Sequence, residues 1–274
     1  MAQAFYEVLE ESDADAASSV LLVRATQHTN GPWGPGLQHG GPPAALLARA
    51  VRRLGGTPTG GLPARMAFDI LAPVPVTDLV VTARMLRAGR RVALAEAALA
   101  AADAPDRPLM VLRAWLLRRA EAPLPGVPEA GGAGAPDPAA GPAVQAPEGW
   151  YGGYLDAVEW RLVVGSFETP GPATVWTRVR VDLVDTEPLD PLGHLVAVSD
   201  AASGISAAAS PQALLFVNTD LTLHLTRLPE GDSIWMQAQT TLDPRGTGRA
   251  LGALGDADGQ VAASAQCLFV EPRG

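Results

Sequence analysis

The sequence predicts an α+β chain built as two tandem units, each a single helix set against an antiparallel sheet. Three observations carry this expectation. Segments alternating apolar and polar residues recur in the order strand, strand, helix, four strands, and that order occurs twice. The breaks between the four strands are short and turn-rich, with no helix between them, as hairpin-connected antiparallel strands require. Between the two runs lies a stretch dominated by Pro, Ala and Gly, with too little apolar side chain to form a core.

In the first run, Phe5 to Leu9 and Ser19 to Thr26 read as strands, the second through its Val-Leu-Leu-Val centre. Gly31 to Pro43 is too rich in Gly and Pro for regular structure. The Ala/Leu-rich segment Ala44 to Leu54 then reads as a helix, with Arg49, Arg52 and Arg53 on its polar side. Pro42 and Pro43 suit its first turn, where a missing amide hydrogen costs nothing. Strands follow at Arg65 to Leu71, Leu79 to Arg87, Val92 to Ala101 and Leu109 to Arg118.

Residues 120–149 read as a linker, mostly extended or disordered. Core-forming residues return in Trp150 to Trp160, and strands at Trp160 to Phe167 and Thr174 to Val184 begin the second run. A helix around Asp200 precedes strands at Phe216 to Thr226, Ser233 to Thr241, Arg249 to Gly255 and Val261 to Val270. Pro75-x-x-Asp78 is matched by Pro229-x-x-Asp232, so an internal duplication is expected, with units at 1–119 and 150–274.

Composition narrows the function. A chain of 274 residues, 47% hydrophobic and 18% charged, suits one large or two small globular domains. No apolar run of about 18 residues lacks a charge, so no membrane span is expected. The acidic start has no basic-then-apolar signal pattern, which makes the cytoplasm the expected location. A net charge of -9 argues against nucleic acid as a partner. All 20 basic residues are Arg, which excludes Schiff-base catalysis and a phosphate-loop lysine. With Cys267 the single cysteine and His28 and His194 lacking companions, no metal site is expected. There is no Gly-x-Ser-x-Gly elbow. Asp220 and His224 would stand about 13 Å apart along a strand, too far to act on one carbon.

The stretch Val196 to Gly204 stands out because one carboxylate, Asp200, sits among small and apolar residues. A charge there is costly unless it is hydrogen-bonded, which makes it a candidate for chemistry. Period two places Asn218, Asp220, Thr222 and His224 on one face of their strand, opposite Val217, Leu221, Leu223 and Leu225. Gly40 and Gly41 precede a helix, where a ligand could meet free amides at the positive end of the dipole. His39 beside them is either a contributor to that site or a plain loop residue. Arg84, Arg87, Arg90 and Arg91 could attract phosphates or simply form a solvated strand end.

Leu37-Gln-His-Gly-Gly-Pro-Pro-Ala-Ala-Leu-Leu-Ala48, Val198-Ser-Asp200 and Ala263-Ser-Ala-Gln266, in this order and spacing, resemble the bacterial acyl-CoA thioesterase II (TesB-like) family and its actinobacterial relatives. The resemblance covers nearly the whole chain apart from the linker and implies a double hotdog fold, each long central helix wrapped by a curved antiparallel sheet. It implies hydrolysis of a fatty-acyl or related thioester to free acid and coenzyme A, with no metal or organic cofactor. In that family an aspartate, a threonine and a glutamine hold the hydrolytic water; by position these are Asp200, Asn218 and Gln266, so Asn218 departs from the pattern. Gly40 and Gly41 would polarise the thioester carbonyl. The carrier is either coenzyme A or a carrier protein, and association into a homo-oligomer stays open. The departure at Asn218 keeps two alternatives in play, a non-catalytic acyl-thioester-binding hotdog and a hotdog dehydratase or tailoring enzyme.

Overall fold

A computed structural model describes residues 3–273 apart from 16, 33, 35, 56, 59–60, 128–133, 145–151, 168 and 211–212. Trp33 and the beginning of the aromatic segment, Trp150 and Tyr151, therefore lie outside the described residues.

The first run of elements is β1 (Ala4–Asp15), β2 (Ser18–Ala25), α1 (Gly41–Arg52), β3 (Gly61–Ile70), β4 (Asp78–Arg87), β5 (Val92–Ala101) and β6 (Pro108–Arg118). The connecting stretch contains a short strand, β7 (Ala143–Val144). The second run is α2 (Tyr154–Ala157), β8 (Val158–Val164), β9 (Ala173–Val179), β10 (Asp182–Val184), α3 (Pro191–Ser199), α4 (Ala202–Ile205), β11 (Leu214–Asn218), β12 (Asp220–Leu225), β13 (Ile234–Asp243), β14 (Thr247–Asp256) and β15 (Gly259–Pro272). The alternation of side chains in β4, β5 and β6 is the reason these strands form where expected: every second residue is buried from Leu79 to Ala83, from Ala93 to Leu99 and from Met110 to Leu116.

Among the described residues all the strands join one sheet, in the order β10-β1-β2-β4-β5-β6-β3-β12-β15-β14-β13-β9-β8-β7, with β11 paired to β15. The two runs meet at an antiparallel seam between β3 and β12, Leu221 opposite Phe68 and His224 opposite Arg65. A second link is parallel, β1 to β10, with Tyr6 opposite Val184. Inside this wrap α1 and α3 pack on each other. Both helices are apolar almost all round, with every residue from Gly41 to Val51 and from Leu192 to Ser199 buried, which is the pattern of a central rather than a surface helix.

Four details differ from the sequence expectation. α1 ends at Arg52 rather than Leu54, while its start at Gly41 takes Pro42 and Pro43 into the first turn as expected. Arg49 does not lie on a solvent face; it is buried and bonded to Glu11 and Glu187. The linker is not structureless throughout: Ala143–Val144 pairs with β8, and Trp176 Nε1 donates to the Pro136 carbonyl. Phe216 to Thr226 is two strands, broken at Thr219, whose N–H donates to Cys267 and whose carbonyl accepts from Ile70. The break reverses the side-chain parity. In β12 the odd-numbered Leu221, Leu223 and Leu225 are buried, whereas in β11 Phe216 points inward and Val217 is 40% exposed.

Candidate active site

Asp200 lies at the C-terminal cap of α3, and its carboxylate faces the start of α1. The side chain is almost enclosed, with the residue 6% exposed. Placing a negative charge at a helix C-terminus is unfavourable, but the positive end of the antiparallel α1 faces the same carboxylate and offsets this.

Two strands of the second unit supply donors. Asn218 Nδ2 donates to Asp200 Oδ1 at 2.9 Å. Gln266 Nε2 donates to the Asp200 backbone oxygen at 2.9 Å and reaches Oδ1 at 3.3 Å. Gln266 thus also satisfies, together with Asn218 Nδ2 at 3.4 Å, the carbonyl at the end of α3. It is 1% exposed, which discards an ordinary solvent-facing polar residue on β15. The amides contact Asp200 itself rather than standing across a gap from it.

The first unit supplies His39. Its Nδ1 lies 3.2 Å from Asp200 Oδ2 and 3.1 Å from the amide nitrogen of Gly41. One ring nitrogen serves one partner at a time: protonated, it donates to the carboxylate; unprotonated, it accepts from Gly41. Burial lowers the His39 pKa and the Asp200 charge partly restores it. Its position is rigidly set. The ring stacks on Tyr154 at 3.8 Å, and the Tyr154 hydroxyl donates to the Ala197 carbonyl. Burial and the Asp200 charge raise the Tyr154 pKa, so this hydroxyl keeps its proton. The neighbouring Gln38 accepts from the Tyr6 hydroxyl and donates to the Pro75 carbonyl.

Both glycines are required by close approach. A Cβ at Gly40 would lie 2.7 Å from Asp200 Oδ2, and one at Gly41 would collide with the Ala197 carbonyl oxygen. Since Pro42 and Pro43 carry no N–H, Gly40 and Gly41 hold the available amides of this helix start.

The fold therefore gathers His39, Gly40, Gly41, Asp200, Asn218 and Gln266 at one corner of the helix pair. Sequence reasoning missed Ser203 and Tyr154. Ser203 Oγ donates to Asn218 Oδ1 at 3.1 Å, and its backbone N–H donates to Gln266 Oε1 at 3.2 Å. The arginines of the β4–β5 region stay outside the site: Arg84 pairs with Glu96 on the surface. Phe68, Trp176 and Phe216 are buried. Cavities of about 300 and 530 Å³ lie elsewhere, the first between Arg49 and Leu189, the second around Trp176 and Asp232. Among the described residues no group of His, Cys, Asp and Glu could hold a metal, and no helix is long and apolar enough to cross a membrane.

Family models agree with the paired organisation. Residues 29–117 match an acyl-CoA thioesterase N-terminal domain and residues 137–270 an acyl-CoA thioesterase C-terminal domain. The chain belongs to the acyl-CoA thioesterase family. This thioesterase has no match among curated proteins at the sequence level, but solved structures resemble it over nearly their full length. A conserved hotdog-fold protein of unknown function from Alicyclobacillus acidocaldarius superposes with a TM-score of 0.72 at 17% identity, covering 97% of each chain. The TesB protein of Mycobacterium avium subspecies paratuberculosis gives 0.66 at 15% identity, covering 96% of the thioesterase and 97% of that chain. An acyl-CoA thioesterase II from Mycobacterium marinum gives 0.63 at 14% identity, over 97% and 96%. At these identities the structures speak for the fold, a double hotdog.

Proposed function

We propose that the corner around Asp200 hydrolyses a fatty-acyl or related coenzyme A thioester, with Asp200 as general base. The observation that carries this is one almost enclosed carboxylate receiving donors from Asn218 and Gln266 while facing the helix start of the other unit. The amides keep Asp200 in place and help hold a water that enters by the half-buried Ser203–Asn218 side. Asp200 takes a proton from that water as its oxygen attacks the thioester carbon. With Nδ1–H of His39 donated to Asp200, the Gly41 N–H is free to receive the developing oxyanion, as is that of Gly40. Collapse of the intermediate expels the coenzyme A thiolate, which recovers the proton from Asp200. We take the functional units to be 1–119 and 150–274, joined by 120–149, with the base in the second.

Asp200→Asn tests this. Thiol release from a panel of acyl-CoAs should fall by about 10²–10⁴-fold, with circular dichroism unchanged; wild-type turnover in the variant would overturn the assignment. The His39–Asp200 contact favours a second reading, in which the pair removes water from a 3-hydroxyacyl thioester. That reaction would yield an enoyl thioester with no free thiol, so product analysis separates the two.

A further inference from the structure

We infer that Ser203 is a positioning residue for this reaction, setting the orientation of both amides that face Asp200; the inference rests on Asp200 being the base. An Asn or Gln side chain can present either its oxygen or its NH2 group, and an amide oxygen against a carboxylate is repulsive. The acceptor-only oxygens of Asp200 select the NH2 ends, and Ser203 holds both amides in that orientation from their far side. Its hydroxyl donates to Asn218 Oδ1 at 3.1 Å, leaving Nδ2 to Asp200 Oδ1. Its backbone N–H donates to Gln266 Oε1 at 3.2 Å, leaving Nε2 to Asp200. The local chain geometry explains why this residue can do both. α3 ends at Ser199, Asp200 caps it, and α4 opens at Ala202. Ser203 thus lies in the first turn of a new helical segment, where an N–H has no intrahelical acceptor and is available to Gln266. Three residues past Asp200, it stands on the same side of the chain.

Only the hydroxyl contact depends on the side chain, so substitution separates the two. Ser203→Ala leaves the bond to Gln266 in place and loosens Asn218, which is then held only through its Nδ2 contacts with Asp200. It should lower kcat about tenfold with KM little changed, from the loss of one hydrogen bond that orients a charged group. Ser203→Thr should restore kcat. In an Asn218→Thr background the residue at 218 carries a hydroxyl that turns freely toward Asp200, so adding Ser203→Ala should cost nothing more. A second readout needs no activity: the Asn218 side-chain NH2 resonances should be sharp and shifted in the wild type and in Ser203→Thr, and averaged in Ser203→Ala. Wild-type kcat in Ser203→Ala, an equal loss in the Asn218→Thr background, or unchanged NH2 resonances would each overturn the inference. If Asp200→Asn kept full hydrolysis, it is the base assignment that would fall, whatever Ser203→Ala showed.

Discussion

His194 gives a prediction that can be worked from the structure alone. It is 3% exposed, on α3, with Nε2 3.2 Å from Thr177 Oγ1. The Thr177 hydroxyl donates to the Ile234 carbonyl at 2.8 Å, so Nε2 must carry the proton that this oxygen accepts. Burial lowers its pKa from 6.5 to about 4; Asp232 opposes the shift and Arg178 adds to it. The unfolded chain therefore binds one more proton than the folded chain between these values, and stability falls as pH drops through that window. A shift of this size corresponds to about 3 kcal/mol lost by pH 4, roughly a third to a half of it already by pH 5.5. His194→Gln keeps an N–H donor for Thr177 but cannot titrate. Urea unfolding of both proteins at pH 7.5 and 5 should show a stability gap between the two pH values that is smaller in the variant. Equal gaps would refute the argument, since every other titrating group, including His39, is common to the two proteins.

Three further outcomes follow from the site. Gly41→Ala drives a methyl group into the Ala197 carbonyl oxygen, so α1 and α3 must separate; a loss of about 1–3 kcal/mol should appear as a lower Tm. Gly40→Ala meets Asp200 Oδ2 at 2.7 Å instead, and should lower kcat far more than Tm. His39→Phe preserves the ring stacked on Tyr154 but deletes Nδ1, the atom 3.2 Å from Asp200. Loss of a donor to a charged group should reduce kcat about tenfold to a hundredfold; an unchanged kcat would return His39 to the role of a loop residue.

The strands were legible because half-buried strands alternate, and Asp200 because a charge among Ala, Val and Ser is conspicuous. Periodicity alone could not say which face of β15 is the inner one, so Gln266 was visible only through resemblance. Asn218 was obscured differently: continuing the parity of Leu221, Leu223 and Leu225 upstream puts it on the outer face. Only the hydrogen bonds of Thr219 to Cys267 and Ile70 turn it inward, and these connect residues far apart in sequence. Tyr154 and Ser203 act through contacts with His39, Asn218 and Gln266 that no local pattern encodes. Ser203 did leave one clue, a hydroxyl three residues beyond the carboxylate.

At the opposite end of the helix pair, Arg49 occupies on α1 the corner that Asp200 occupies on α3. There Arg49 and Arg53 bind Glu11 and Glu187, and Arg52 binds Asp190. Of these groups only the Arg49 side chain is buried, and removing its carboxylate partners would leave that charge uncompensated; on the reading proposed for Asp200, one corner of the helix pair serves chemistry and its twin is a clasp. Titration with a tight-binding thioester analogue should accordingly saturate at a single equivalent per polypeptide, although the architecture is twofold.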